Sequence, residues 1–291
     1  MTIKGTIKRT IDTNSTILVV GSTGKTGRRV AERLSDLGYN VRHGARSSDV
    51  PFDWENRETW GAALTDVDAA YVTYFPDLAA PGSIADMQAF TELAVARGVQ
   101  RLVLLSGRGE EDAEACERVV QAAGLESTII RATWFAQNFN ESYFLEPIQA
   151  GEVALPVGSV AEPFVDADDI ADVAVAALTD DRHVGELYEL TGPRLLTFAD
   201  AVAEIASATG RAIGFVSMTA EEFAAGLAEQ GAPEEVVGLL IYLFTHVLDG
   251  RNASLADGVQ RALDREPRDF KVFVADAAAT GIWAAATEQR E

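Results

Sequence analysis

The sequence predicts an α/β protein built on a doubly wound parallel sheet, with a smaller, mainly helical C-terminal lobe. Three observations carry that prediction. An apolar run, Thr16, Ile17, Leu18, Val19 and Val20, stops at three glycines spaced three apart, Gly21, Gly24 and Gly27. Val30, Leu34 and Leu37 then recur at helical spacing. Strand-like and helix-like stretches go on alternating to about residue 131. A strand with no polar alternation is buried on both faces, as in parallel sheets. Strand, glycine turn and helix in that order aim backbone N–H groups and a positive helix end at one point, where a pyrophosphate can sit.

The elements follow in order. Residues 40–45 read as a second strand, 51–54 as a third and 69–75 as a fourth, closed by Pro76. A helical pattern over 86–96 ends at Gly98, and 101–106 is a fifth strand. Residues 113–123 are helical with Gly124 as the stop, and 127–131 form a sixth strand. The second half is less regular. Short strands are expected at 164–166 and 187–190, with a helix over 169–178 between them. Thr197 with Asp200, and Thr219 with Glu222, carry the spacing of capping boxes before helices. Residues 234–247 and 270–283 read as apolar-rich helices. The expected organisation is an extension over 1–15, a Rossmann-type dinucleotide domain over 16–150, and a part over 151–291 that returns to the sheet and covers the substrate. In such sheets ligands lie beyond the strand C-termini, so substrate is expected between the two parts.

Composition narrows the partners. The 291 residues carry a formal net charge of -21, which argues against a nucleic-acid or anionic-membrane surface. Cys116 is the single cysteine and cannot form an internal disulfide. No stretch reaches the roughly 20 apolar residues of a membrane span, and the N-terminus lacks the apolar core of a signal peptide. The expectation is a cytoplasmic protein acting on a small molecule, with its oligomeric state open. No histidine–carboxylate spacing points to a metal.

Gly24, Lys25 and Thr26 mimic the end of a P-loop, but that motif needs a glycine where Val19 stands. The loop is a dinucleotide loop instead, with Gly21, Thr23, Gly24, Lys25, Thr26 and Gly27 as its expected contacts. An NAD site places an acid at the end of the second strand to hold the ribose 2′-hydroxyl. Here the strand runs into Ala45, Arg46, Ser47 and Ser48, with no acid before Asp49. Arg46 can pair with a 2′-phosphate and the two serines can donate to it, so NADP(H) is the expected cofactor.

Several segments together carry a family resemblance: the glycine loop, residues 45–48, Phe52-Asp53-Trp54 with Thr59-Trp60, 131–139, 164–171 and 249–253. With them the chain resembles the NmrA-like branch of atypical short-chain dehydrogenase/reductases. Within it the chain looks most like the ergot-alkaloid festuclavine/agroclavine dehydrogenase group and its bacterial relatives. The resemblance covers nearly the whole chain from Thr16 to Trp283. It implies that Asp53 and Trp54 meet the adenine. It also implies that Thr73, Tyr74, Phe75, Ser106 and the segment Thr133, Trp134 and Phe135 line the ribose and nicotinamide side.

Carbonyl reduction in that superfamily uses a tyrosine proton donor and a lysine four residues later. The lysines here are Lys4, Lys8, Lys25 and Lys271, and none stands four after a tyrosine. Where relatives keep an active-site lysine, this chain has the acidic run from Glu110 to Glu117. Epimerisation by that relay is disfavoured for the same reason. Hydride addition to an iminium gives a neutral amine and creates no alkoxide to protonate, so it needs only proximity and orientation. Trp134, Phe135 and Tyr143 are the expected pocket aromatics, with Asn138 as an orienting polar group; together they favour a cationic substrate. Tyr242 and His246, four apart, are a weaker candidate acid/base pair. Asp166, Asp168 and Asp169 are expected to cap a helix, and Cys116 among acids is a poor nucleophile. An iminium or related secondary-metabolite reductase ranks first, a quinone-type reductase second, and an NADP(H)-sensing regulator third.

Overall fold

The structure, a computed structural model, describes residues 10–285. Strand β1 (Thr16–Val20) turns Ile17 and Val19 to one face and Leu18 and Val20 to the other, and all four are buried. Helix α1 (Lys25–Asp36) follows and lays Val30, Ala31 and Leu34 on the sheet. Leu37, expected on that face, caps the helix and is 56% exposed. Then come β2 (Asn40–Gly44), the single turn α2 (Trp60–Ala63), β3 (Ala69–Val72), α3 (Ser83–Arg97), β4 (Arg101–Gly107), α4 (Glu111–Ala122) and β5 (Glu126–Ala132). The chain leaves the sheet through α5 (Leu145–Ala150), β6 (Glu152–Leu155) and β7 (Ala161–Glu162). Helix α6 (Ala167–Thr179) leads back to β8 (Leu187–Leu190).

Six strands form one all-parallel sheet in the order β2-β1-β3-β4-β5-β8. Helices α1 and α6 cover one face and α3 and α4 the other, which is the doubly wound arrangement. Helix α6 is held to α1 by Arg33, which reaches Asp168 at 2.6 Å and Asp172 at 2.8 Å. Asp166 caps α6 by accepting from the Asp168 N–H at 2.8 Å, as expected of that cluster. Asp169, in contrast, is fully buried and pairs with Arg268.

The remaining chain comprises β9 (Leu196–Thr197), α7 (Phe198–Thr209), β10 (Gly214–Ser217), α8 (Ala220–Glu229), α9 (Glu234–Tyr242), α10 (Gly258–Leu263) and α11 (Phe270–Ala279). Both capping boxes form, Thr197 with Asp200 at α7 and Thr219 with Glu222 at α8. Strand β10 pairs with β6 and β9 with β7. The core of this lobe is aromatic: Phe139, Phe144, Phe164, Phe198, Phe244, Phe270 and Trp283 pack together.

Four expectations need correcting. Residues 51–54 form no strand: Phe52 and Trp54 alternate with Asp53 as a strand would, but both rings pack against Trp60 and Phe90, off the sheet edge. At 164–166 a single parallel bridge joins Val165 to Phe135, and Asp166 already belongs to the helix cap. Helix α11 stops at Ala279, and Trp283 reaches the core from the turn beyond it, donating from Nε1 to the Phe139 carbonyl at 2.8 Å. Before β1, Ile11 joins the sheet core and Ser15 is fully buried, so the expected extension is anchored to the fold at these two residues. The rest of the expected extension lies outside the described residues.

Glu162 on β7 is buried with neither carboxylate oxygen partnered, and burial pushes its acid up to about 7 against the opposing effect of Arg108. Between its ordinary value of 4.5 and about 7 the folded chain keeps a proton that the unfolded chain releases. Stability therefore falls as pH rises through that window, by on the order of 3 kcal/mol once ionisation is complete. Glu162→Gln is expected to flatten the fall. Urea unfolding at pH 5 and pH 8 checks it, and an unchanged slope in the variant would show that Glu162 is not its source.

Candidate active site

The strand order reverses between β1 and β3, so the C-terminal ends of these strands open a crevice where neighbouring connections diverge to opposite sides. Loops after β1 to β5 all reach it. They line one cleft of about 740 Å³, which lies within the range of ligand pockets.

The first loop is fixed by glycine. Gly21 has φ +72, and a Cβ there would stand 2.2 Å from Thr73 Oγ1, itself bonded to the Val20 carbonyl at 3.1 Å. A Cβ on Gly27 would stand 2.1 Å from the Gly21 carbonyl oxygen, so α1 could not approach the loop with any side chain there. Gly24 donates to the Gly21 carbonyl at 2.8 Å and is the residue before α1. These contacts leave a bare backbone cradle at a helix N-terminus, and the buried Ser22 hydroxyl in it has no partner. A cradle of this kind fits a dinucleotide pyrophosphate. Gly21, Thr23, Gly24, Lys25 and Thr26 line the cleft, whereas Gly27 supports the loop from behind. Burial, with Arg28 and Arg29 nearby, holds the Lys25 ammonium below its ordinary pKa although Glu141 opposes them.

On the β2 side the cleft takes in Arg46, Asp53 and Trp54. Arg46 is exposed, its guanidinium 5.9 Å from the centre of the Phe75 ring. Ser47 and Ser48 do not line the cleft, and Ser48 Oγ instead accepts from the Ala45 N–H at 3.0 Å and closes the turn. Trp54 shows only an edge: it donates from Nε1 to the Thr73 carbonyl at 2.9 Å and packs on Tyr74 at 4.8 Å between centroids.

Over β3 to β5 stand Thr73, Tyr74, Phe75, Ser106, Trp134, Phe135, Asn138 and Tyr143. Ser106 donates to Glu117 at 2.6 Å, and Glu117 also takes Arg131 Nε at 2.9 Å, so this hydroxyl is held by a buried ion pair. Trp134 leans on Phe244 at 5.0 Å, which ties the cleft wall to the aromatic core. The roof comes from Leu240, Leu243 and Val247. After α9 the helix opens into a π turn at Leu243–Val247, which rotates the face presented. Tyr242 and His246 consequently stack on each other at 5.4 Å and do not line the cleft. His43 is exposed on β2, and His183 is buried against the Tyr188 hydroxyl at 2.8 Å. Burial pushes the Cys116 thiol up to about 11. Among the described residues no cluster of metal ligands occurs, and no helix is long and apolar enough to cross a membrane.

Arg28, Asp77 and Glu110 also line the cleft and escaped the sequence reading. Arg28 lines the cleft beside the glycine loop, held by Glu141 at 2.7 Å. Asp77, after β3, and Glu110, at the N-cap of α4, face one another across the β3–β4 boundary. Burial and the neighbouring Asp77 raise the Glu110 acid well above the usual carboxylate range. The signals were present but indirect: Pro76 before Asp77, and Gly107 three residues before Glu110.

Residues 21–181 match the profile of an NAD(P)H-binding family. The chain is 32% identical to the oxidoreductase YesF of Bacillus subtilis, with 92% of this chain and 97% of that protein aligned. It is 30% identical to agroclavine dehydrogenase of Claviceps fusiformis over 90% and 96% of the two chains. The crystal structure of triphenylmethane reductase from a Citrobacter species, complexed with NADP(H), superposes with a TM-score of 0.70 at 18% identity, covering 90% and 99%.

Proposed function

The chain belongs to an NAD(P)H-binding family with oxidoreductases among its members, and from that premise we propose that it reduces a small cationic acceptor, best a cyclic iminium, with NADPH. The observation that carries the reading is the make-up of the cleft beyond the dinucleotide loop. Its walls and roof are aromatic and aliphatic, and Asp77 and Glu110 are acidic groups in it that no described lysine or arginine neutralises.

Bound NADPH supplies the hydride. The chain's own residues then have three tasks. The loop from Gly21 to Thr26 holds the pyrophosphate on backbone N–H groups, and Arg46 pairs with the 2′-phosphate. Ser106, fixed by Glu117 and Arg131, gives the far end of the dinucleotide an oriented hydroxyl. Trp134, Phe135 and Tyr143 exclude water from the acceptor and offer ring faces to its charge, with Asn138 as the orienting amide. No protonation step is required, because the iminium becomes a neutral amine. This matches a sequence in which no lysine stands four after a tyrosine. Names among the similar proteins agree with the reaction class, one being an agroclavine dehydrogenase and another a triphenylmethane reductase complexed with NADP(H).

The test is NADPH oxidation with a cyclic iminium, its matched ketone and a quinone. Turnover of the iminium and not of the ketone is expected. Ketone turnover would require a proton donor such as Tyr143 and would overturn the reading, and turnover of the quinone alone would replace it with a quinone-type reductase. Dinucleotide binding without any turnover would favour an NADP(H)-sensing role.

A further inference from the structure

We propose that Asp77 and Glu110 form the subsite that takes the positive charge of the acceptor, a substrate-recognition role resting on the cationic-acceptor reading above. The geometry is built for a carboxyl to face the cleft. Glu110 occupies the N-cap of α4, yet its side chain makes no capping bond, and it is 8% exposed. One of its oxygens, Oε2, is buried with no hydrogen-bond partner. Room for the carboxyl is made by Gly107, where a Cβ would stand 2.2 Å from Glu110 Oε1. Asp77 is tied to its own loop, accepting from the Ala79 N–H at 2.8 Å, and is close enough to accept a hydrogen bond from Glu110.

A buried carboxyl oxygen without a partner costs stability, and among the described residues no arginine or lysine is bonded to either group. A cation of the right size would satisfy both. The position also fits. The pair stands over β3 and β4, on the far side of the glycine loop from Arg46, where the dinucleotide's second half would end.

The charges facing the pair predict its protonation. Asp77 and Glu117 both press on Glu110, Asp77 presses on Tyr143, and Glu110 presses on Tyr242. Burial raises both acids, and the charges of Asp77 and Glu117 raise Glu110 further while its hydrogen bond favours the ionised Asp77, so the free pair keeps one proton on Glu110. A bound cation favours the doubly ionised pair, and that proton leaves to bulk water. Affinity for a cation should therefore rise with pH and be accompanied by proton release. Hydride transfer removes the fixed charge of the acceptor, so the pair holds the substrate more tightly than the neutral amine first formed. It stabilises the ground state at least as much as the transition state, and its removal should raise KM more than it lowers kcat.

The experiment is titration calorimetry of the NADP⁺-loaded protein with phenyltrimethylammonium, which cannot be reduced, and with tert-butylbenzene, its neutral isostere. Buffers of different ionisation enthalpy count the protons released. The expected result is cation binding that strengthens from pH 6 to pH 8 with proton release. Glu110→Gln should lose about tenfold in cation affinity at pH 8, lose the proton release, and leave the neutral probe unchanged. Gly107→Ala, which keeps both acids but crowds the carboxyl out of the cleft, should reproduce the loss. Equal affinity for the two probes, or proton release that persists in Glu110→Gln, would overturn the subsite. Iminium turnover in a protein that ignores the cation sinks this proposal alone; cation binding without iminium turnover sinks the reductase reading alone.

Discussion

Gly21→Ala should abolish useful dinucleotide binding while leaving the protein folded. Two costs act together at this position. An L-residue held at φ +72 carries roughly 1–2 kcal/mol of strain. The added Cβ would meet Thr73 Oγ1 at 2.2 Å, so either the hydroxyl gives up its bond to the Val20 carbonyl or the loop moves. A loop that moves no longer presents its cradle. NADPH affinity is expected to fall by at least about a hundredfold, equivalent to roughly 2.7 kcal/mol. Fluorescence titration with NADPH, set against thermal unfolding, separates this from a loss of fold. Thr73→Ala in the same chain removes the oxygen but not the strain, so the double variant should recover part of the affinity. No recovery at all would mean that backbone strain alone accounts for the loss.

The second large effect concerns the choice of dinucleotide. If Arg46 holds the 2′-phosphate, Arg46→Ala should weaken NADPH by tenfold to a hundredfold, the range of a lost charge-assisted bond of about 1.5–3 kcal/mol. NADH should be almost unaffected. Because Arg46 is exposed, the wild-type preference should shrink with added salt, while that of the variant should not. Neither Ser47 nor Ser48 lines the cleft, so their alanine variants are expected to change little. Equal losses for NADPH and NADH in Arg46→Ala would move the 2′-phosphate elsewhere, with Arg28 another cation that lines the cleft.

Where local pattern and tertiary structure agree, the fold could be read from the residues. The run from Ile17 to Val20 is apolar because both faces of β1 are covered, and Gly21 is required because Thr73, just past the end of β3, stands beside it. The glycine spacing thus encoded a contact 52 residues away. The same logic misleads at residues 51–54. There Phe52 and Trp54 alternate with Asp53, as a strand would, but they are buried by α3 and Trp60, not by a ladder. Period alone does not distinguish these two kinds of burial. A local change in helix pitch defeated the Tyr242 and His246 expectation: the π turn hands the cleft to Leu240, Leu243 and Val247. Asp77 and Glu110 stayed hidden for another reason. The acidic run around Glu110 reads as a solvated surface, and only the packing of β3 beside β4 brings one of its members to Asp77.

In the proposed reaction hydride reaches a cationic carbon in a cleft that need not supply a proton. Single-turnover reduction of 2-methyl-3,4-dihydroisoquinolinium by the NADPH-loaded protein tests it most directly, with C4-deuterated NADPH and in both H₂O and D₂O. Direct hydride delivery puts deuterium from the cofactor at C1 of the product, slows the rate with the C4 label, and leaves it unchanged on moving to D₂O. A step slowed by D₂O as strongly as by the C4 label would show proton transfer in the rate-limiting event and would contradict it.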